Sequence, residues 1–103
     1  MQIGTDIALI KRFKDKEELA RRILSDAEFD KYINSPCKEE FLAGRFAAKE
    51  SFIKALGSNS SIPYHLIEVR LEENGRPYIF YKDNKYALSI SHDGDYAIAI
   101  SVI

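Results

Sequence analysis

Apolar positions change their period along this chain. From Ile3 to Ile10 they follow a period of two, with Ile3, Ile7 and Leu9 on one parity beside Thr5. Gly4, Asp6 and Ala8 take the other parity. Such alternation predicts a strand. Between Lys11 and Leu24 the period lengthens, and Leu19, Ala20, Ile23 and Leu24 form the buried edge of a short helix. Ser25-Asp26-Ala27-Glu28 is a capping box that opens a second short helix, with Phe29, Tyr32 and Ile33 as its stripe. Asn34-Ser35-Pro36 breaks that helix. Ser35 as N-cap and Pro36 as first helical residue then start a long central helix, which Gly57 stops.

The central helix organises the rest. At about 100° per residue, Phe41, Leu42, Phe46, Phe52, Ile53 and Leu56 fill one broad sector. Ala43, Gly44, Ala47, Ala48, Ser51 and Ala55 fill much of the other side, where a second element can approach closely. A helix that is apolar or small on nearly all sides belongs in a core. Arg45, Lys49, Glu50 and Lys54 sit in it nonetheless. A charge there must be paired, reach water or meet a ligand. One reading makes Glu50 and Lys54 an ordinary i,i+4 pair and lets Arg45 and Lys49 reach outward along their stems. The other makes the four charges part of a site.

The C-terminal half alternates again. His65 to Glu72 places Ile67, Val69 and Leu71 inward and Glu68, Arg70 and Glu72 outward. Asn74-Gly75 predicts a hairpin turn into Pro77 to Tyr81. Tyr86 to Ser91 is a further strand, His92-Asp93-Gly94-Asp95 turns the chain, and Tyr96 to Ile103 runs back. Ala97, Ala99 and Ser101 form a small face on that last strand, against which the helix can lie. The pattern predicts an α+β fold: a long central helix packed on an antiparallel sheet, in one domain over residues 1–103. Ser58-Asn59-Ser60-Ser61 reads as a plain connector or as a loop offering backbone donors to a phosphate.

Charge narrows the function classes only slightly. Fifteen basic residues balance sixteen acidic ones, so nothing global points to nucleic acid or to a membrane. Locally, Lys11, Arg12, Lys14, Lys16, Arg21 and Arg22 face only Asp15, Glu17 and Glu18. That segment is either a solvated helical face or a dock for an acidic partner. Cys37 is the lone cysteine, which excludes an internal disulfide and suits a reducing, cytoplasmic setting. No signal-peptide pattern or membrane-length apolar run is expected from the sequence. Asp6 is a carboxylate inside an apolar strand. It reads equally as a strand-end aspartate and as a site residue. His92, before a turn and beside Asp93 and Asp95, reads as a structural hydrogen-bonder or, protonated, as a phosphate contact.

Three stretches together resemble the holo-acyl-carrier-protein synthases, the small phosphopantetheinyl transferases. They are Ile3-Gly4-Thr5-Asp6-Ile7, the run from Arg45 to Gly57, and Ser89-Ile90-Ser91-His92-Asp93 followed by Tyr96-Ala97. The resemblance implies transfer of the phosphopantetheine arm of coenzyme A to a serine of apo acyl carrier protein, with release of adenosine 3',5'-bisphosphate. It implies Mg²⁺ held by Asp6 and Glu50, and Lys54 near the pyrophosphate. Glu50, directly or through a metal-bound water, is implied as the base for the serine hydroxyl, and Lys54 as a charge stabiliser or proton relay. Arg45 and His92 match contacts to the nucleotide phosphates, Gly57 begins the loop that meets coenzyme A, and Gly75-Arg76-Pro77 resembles a loop near the adenine. The family's second loop glycine is Asn59 here. Asparagine tolerates positive φ, so the loop shape is expected to survive. A homotrimer is implied, with Tyr78, Tyr81, Tyr86 and Tyr96 as candidates for inter-subunit surface. Lys11, Arg12, Lys14, Arg21 and Arg22 would dock the acidic carrier. Two alternatives stay open: a non-catalytic coenzyme A or nucleotide-binding subunit, and a transferase acting on peptidyl carrier domains.

Overall fold

The computed structural model describes residues 1–57 and 61–103; Ser58, Asn59 and Ser60, and the loop expectation resting on them, lie outside the described residues. Strand β1 spans Ile3–Leu9 and leads through a 3-10 turn, Ile10–Phe13, into helices α1, Glu17–Ile23, and α2, Asp26–Ile33. The long helix α3 spans Lys38–Leu56. A second 3-10 turn, Tyr64–Leu66, precedes β2, Glu68–Leu71, β3, Pro77–Tyr81, β4, Asn84–Asp93, and β5, Tyr96–Val102. The five strands form one antiparallel sheet in the order β1-β5-β4-β3-β2. The expected α+β architecture is therefore present, with α3 lying across the sheet.

Small residues let α3 sit very close to β1 and β5. Ala8, Ala97, Ala99 and Ser101 are buried against it, as are its own Ala43, Ala47, Ala48, Ser51 and Ala55. The Ser51 and Ser101 hydroxyls are 2.7 Å apart, and Ser51 also donates to the Ala48 carbonyl, so both buried hydroxyls are satisfied. At Gly4 the approach is closest. A Cβ there would lie 1.8 Å from the Ser51 carbonyl oxygen and 2.6 Å from the Ala55 nitrogen. The bulky parity of both strands consequently faces away from the helix. Ile3 is 64% exposed and Ile7 59%, and Tyr96, Ile98 and Ile100 lie beside them, all at least 42% exposed. At the other half of the sheet Val69, Ile79 and Leu88 are buried under α3, and Phe52 packs on Tyr81 and Tyr86 at 5.5 and 5.0 Å. Tyr81 and Tyr86, half-buried, thus pack on this chain's own core.

Several boundaries move from those the sequence suggests. α3 begins at Lys38 with Cys37 at its N-cap, two residues later than Ser35 and Pro36 imply. The Ser35 hydroxyl is occupied by Cys37, bonding its N–H at 3.3 Å and its carbonyl at 3.2 Å, and this turn delays the helix. His65 belongs to a 3-10 turn and not to β2. Leu71 is exposed, because β2 ends there before the Glu72–Arg76 turn. β4 continues through His92 and Asp93, leaving only Gly94 and Asp95 to turn the chain. β3 and β4 are joined by Lys82 and Asp83, both at positive φ, a turn without the usual glycine.

The capping box forms as predicted, but Glu28 does more than cap. Its Oε1 accepts from the Ser25 N–H and from Lys49 Nζ at 2.6 Å, and its Oε2 accepts from the Val69 N–H at 2.9 Å. Lys49 also donates to the Ile23 carbonyl. Lys49 therefore does not reach water: its side chain is fully buried. Burial pushes its amine down, and the Glu28 carboxylate opposes that shift. This pair ties α1, α2, α3 and β2 together. Removing one partner strands a buried charge, so Glu28→Ala is expected to cost about 3–5 kcal/mol. Chemical denaturation checks it; a loss below about 1 kcal/mol would show that Lys49 finds water easily.

Candidate active site

β1 and α3 bring Asp6, Glu50 and Lys54 together. Asp6 faces the helix because it shares the parity of Gly4 and Ala8. Lys54 lies one turn beyond Glu50 on α3. Lys54 Nζ donates to Asp6 Oδ1 at 3.0 Å, while half of the lysine side chain stays in solvent. The ordinary Glu50–Lys54 helix pair is thus replaced by a bond between helix and strand. Glu50 is held from the other side, where the Tyr64 hydroxyl donates to its Oε1. Burial, the hydrogen bond to Glu50 and the charges of Glu50 and Asp6 push the Tyr64 phenol up to about 12. It keeps its proton throughout the neutral range and remains a donor. No periodic signal singles out Tyr64 in the sequence, which follows a proline in an irregular stretch.

The other expected site residues lie elsewhere on the chain. Arg45 and His92 line one cavity of about 230 Å³ with Pro36, Cys37, Glu40 and Gly44. Glu40 Oε1 is 3.5 Å from His92 Nδ1. Arg45 stacks on the Phe41 ring at 4.3 Å and buries its Nε without a hydrogen-bond partner among the described residues. Burial pushes its guanidinium down, with only Glu28 opposing. Pro77 lines a different hollow of about 560 Å³, with Arg76, Tyr78, Lys85 and Tyr86, and Gly75 turns the chain beside it at φ 88°. Gly57 takes φ 99° at the end of α3, where a side chain would be strained. One chain therefore carries the two carboxylates, the Arg45–His92 pair and the Gly75–Pro77 hairpin turn in three places.

Among the described residues no group of three or more His, Cys, Asp and Glu side chains is set to hold a metal. Two carboxylates, both near the Tyr64 hydroxyl, still make a hard oxygen donor pair. Such a pair fits Mg²⁺ when phosphate oxygens and water complete the shell. No helix of the described residues is long and apolar enough to cross a membrane.

A long helix thus lies on a five-stranded antiparallel sheet, with two carboxylates and a lysine where they meet. The model of the 4'-phosphopantetheinyl transferase superfamily matches residues 2–101. The holo-[acyl-carrier-protein] synthase of Bacillus subtilis is 41% identical over 112 residues, covering 98% of this chain and 93% of the relative. The crystal structure of the Neisseria meningitidis synthase superposes with a TM-score of 0.86 at 30% identity, covering 97% of this chain and 94% of that one. The Bacillus anthracis synthase in complex with CoA (3',5'-ADP) superposes at 0.85 and 33% identity, covering 97% and 92%. The chain belongs to the holo-[acyl-carrier-protein] synthases of that superfamily.

Proposed function

We propose that this protein transfers the 4'-phosphopantetheine of coenzyme A to a serine of apo acyl carrier protein, releasing adenosine 3',5'-bisphosphate. The observation that carries the site assignment is the convergence of Asp6, Glu50 and Lys54 across β1 and α3. In this reading the serine oxygen attacks the phosphorus that carries the pantetheine arm, and the bond to the departing nucleotide breaks. Asp6 and Glu50 would hold Mg²⁺, which would supply positive charge against the pyrophosphate. Lys54, half in solvent, adds positive charge beside it and turns from Asp6 toward the leaving phosphate. Glu50, directly or through a water, is the candidate to take the serine proton, with a proton relay through Lys54 as the alternative to its charge-stabilising role. The lone thiol, Cys37, is free and exposed, in keeping with a cytoplasmic enzyme.

Two further features support a homotrimer with sites shared between copies. Ile3, Ile7, Tyr96, Ile98 and Ile100 form a contiguous apolar face on β1 and β5, larger than scattered surface residues would give. Arg45 and His92 line a cavity separate from the carboxylates, so a second copy can supply the phosphate contacts that one chain keeps apart. Ile7→Lys with Ile98→Lys places two charges in that face and is expected to yield inactive monomers. Sedimentation checks the mass, and a fully active monomer at micromolar concentration would refute the shared site.

The carrier docks on the basic segment that follows β1. Six of the fifteen basic residues but only three of the sixteen acidic ones lie between Lys11 and Arg22. Lys11, Arg12, Lys14, Arg21 and Arg22 are all exposed, with Arg21 lying 3.7 Å from Glu17 and over the Phe29 ring. The test of function is mass spectrometry of apo acyl carrier protein incubated with this protein, coenzyme A and Mg²⁺. One phosphopantetheine should be added. Reversing Arg12, Arg21 and Arg22 to glutamate should raise KM for the carrier and leave coenzyme A affinity unchanged. Rim charges act over roughly 8 Å at physiological salt, so added salt should weaken the parent more than the variant. Equal carrier use by both at low salt would move the dock elsewhere.

A further inference from the structure

Glu50 is held by more than its own helix. Three aromatic rings form a row toward it: Phe13 meets Phe46 at 5.3 Å between centroids, and Phe46 meets Tyr64 at 5.6 Å. Phe46 and Glu50 are one turn apart on α3, so a ring resting on Phe46 carries its hydroxyl to Glu50. That hydroxyl donates to Glu50 Oε1. The Tyr64 backbone is fixed as well. It opens the Tyr64–Leu66 turn, and its carbonyl accepts from Ile67, which is fully buried. Backbone, ring and hydroxyl are thus each held separately.

We propose that Tyr64 is a positioning residue for Glu50: its phenol engages one carboxylate oxygen and aims the other at a divalent cation. This rests on the reading of Asp6 and Glu50 as cation ligands. A neutral donor suits the task. Lys54, the partner of Asp6, is cationic and competes with a bound cation, whereas a phenol fixes a carboxylate without adding positive charge. Partners of this kind orient a ligand that is otherwise free to rotate, and losing one typically weakens metal affinity by about 10–100-fold.

The test compares Tyr64→Phe, Glu50→Ala and the parent as full-length proteins. Tyr64→Phe keeps the ring on Phe46 and removes only the hydroxyl. Mn²⁺ is titrated in the presence of coenzyme A, and free Mn²⁺ is read by electron paramagnetic resonance. Tyr64→Phe should weaken Mn²⁺ binding about tenfold or more. Its melting midpoint should stay within about 2 °C of the parent. Its turnover should fall at limiting metal and recover at saturating metal. If Glu50→Ala weakens Mn²⁺ binding and Tyr64→Phe does not, Tyr64 has no positioning role and the cation site stands. If Glu50→Ala also leaves binding unchanged, the cation site is wrong and the proposal falls with it. An affinity loss accompanied by a midpoint drop of about 5 °C or more assigns the hydroxyl to the fold and overturns the proposal.

Discussion

Replacing Asp6 or Glu50 with alanine is expected to lower turnover by about a hundredfold or more while leaving the fold standing. Each change removes one oxygen donor from a pair, and a hard cation with few protein ligands has little else to hold it. Little stability is at stake. The Asp6–Lys54 bond is partly in solvent, and a freed Lys54 returns to water at small cost. Glu50→Ala frees the Tyr64 hydroxyl, which is only partly buried. The measurement is carrier modification over a Mg²⁺ series, with thermal melting as a control for folding. Normal turnover by both variants at limiting Mg²⁺ would show that the two carboxylates are not the metal site. A variant that is inactive because it has melted would answer a different question, so both readouts are needed.

Gly4→Ala should cost about 3 kcal/mol or more, above the usual range for overpacking. The added Cβ meets the Ser51 carbonyl oxygen and the Ala55 nitrogen, both backbone atoms of α3. No rotamer change relieves that clash, so strand and helix must separate. A domain of this size loses about 4–8 °C of melting temperature per kcal/mol. A fall of about 12 °C or more is therefore expected. Activity should fall further than stability explains. Gly4 lies two residues before Asp6, and Ser51 is next to Glu50, so the separation moves the two carboxylates apart. A displacement of about 1 Å can cost on the order of a hundredfold in rate. Gly44→Ala is the control. Its Cβ would meet only the Ile90 side chain, at an ordinary 3.6 Å. Within a helix it should be neutral or stabilising by up to about 1 kcal/mol. If Gly4→Ala melts and turns over like the parent, the backbone contact is looser than the structure shows.

The features legible in the sequence were those set by local periodicity or by a contiguous motif. The small parity of β5, the capping box at Ser25 and the turn at Gly75 each follow from neighbouring residues alone. Asp6, Glu50 and Lys54 were marked by their motifs, but their meeting depends on which parity of β1 faces α3. Isoleucine usually points inward, and here it does not, because Gly4 and Ala8 are what the helix backbone requires. Lys49 was misread for a different reason. Its partner, Glu28, lies 21 residues away and already had a local role as a cap. Tyr64 gave no pattern at all, since its role comes from Phe46 and Glu50 on another element. Pro36 was a true helix-start signal placed two residues early, because the Ser35 hydroxyl turned back on Cys37.

The strand that carries Asp6 leaves the ribosome well before its one neighbour in the sheet. β1 lies at the sheet edge and pairs with β5, and the backbones of Gln2 and Ile103 bond to each other beyond that pairing. At about 5–20 residues per second, β1 waits several seconds for that partner. During the wait its amide groups and its isoleucines have no sheet to join. An unpaired apolar strand is a template for association with other chains. Nascent chains of this protein therefore carry Asp6 on an unpaired strand until β5 has emerged. A ribosome stalled before Tyr96 should release an aggregation-prone fragment and not a partly active enzyme.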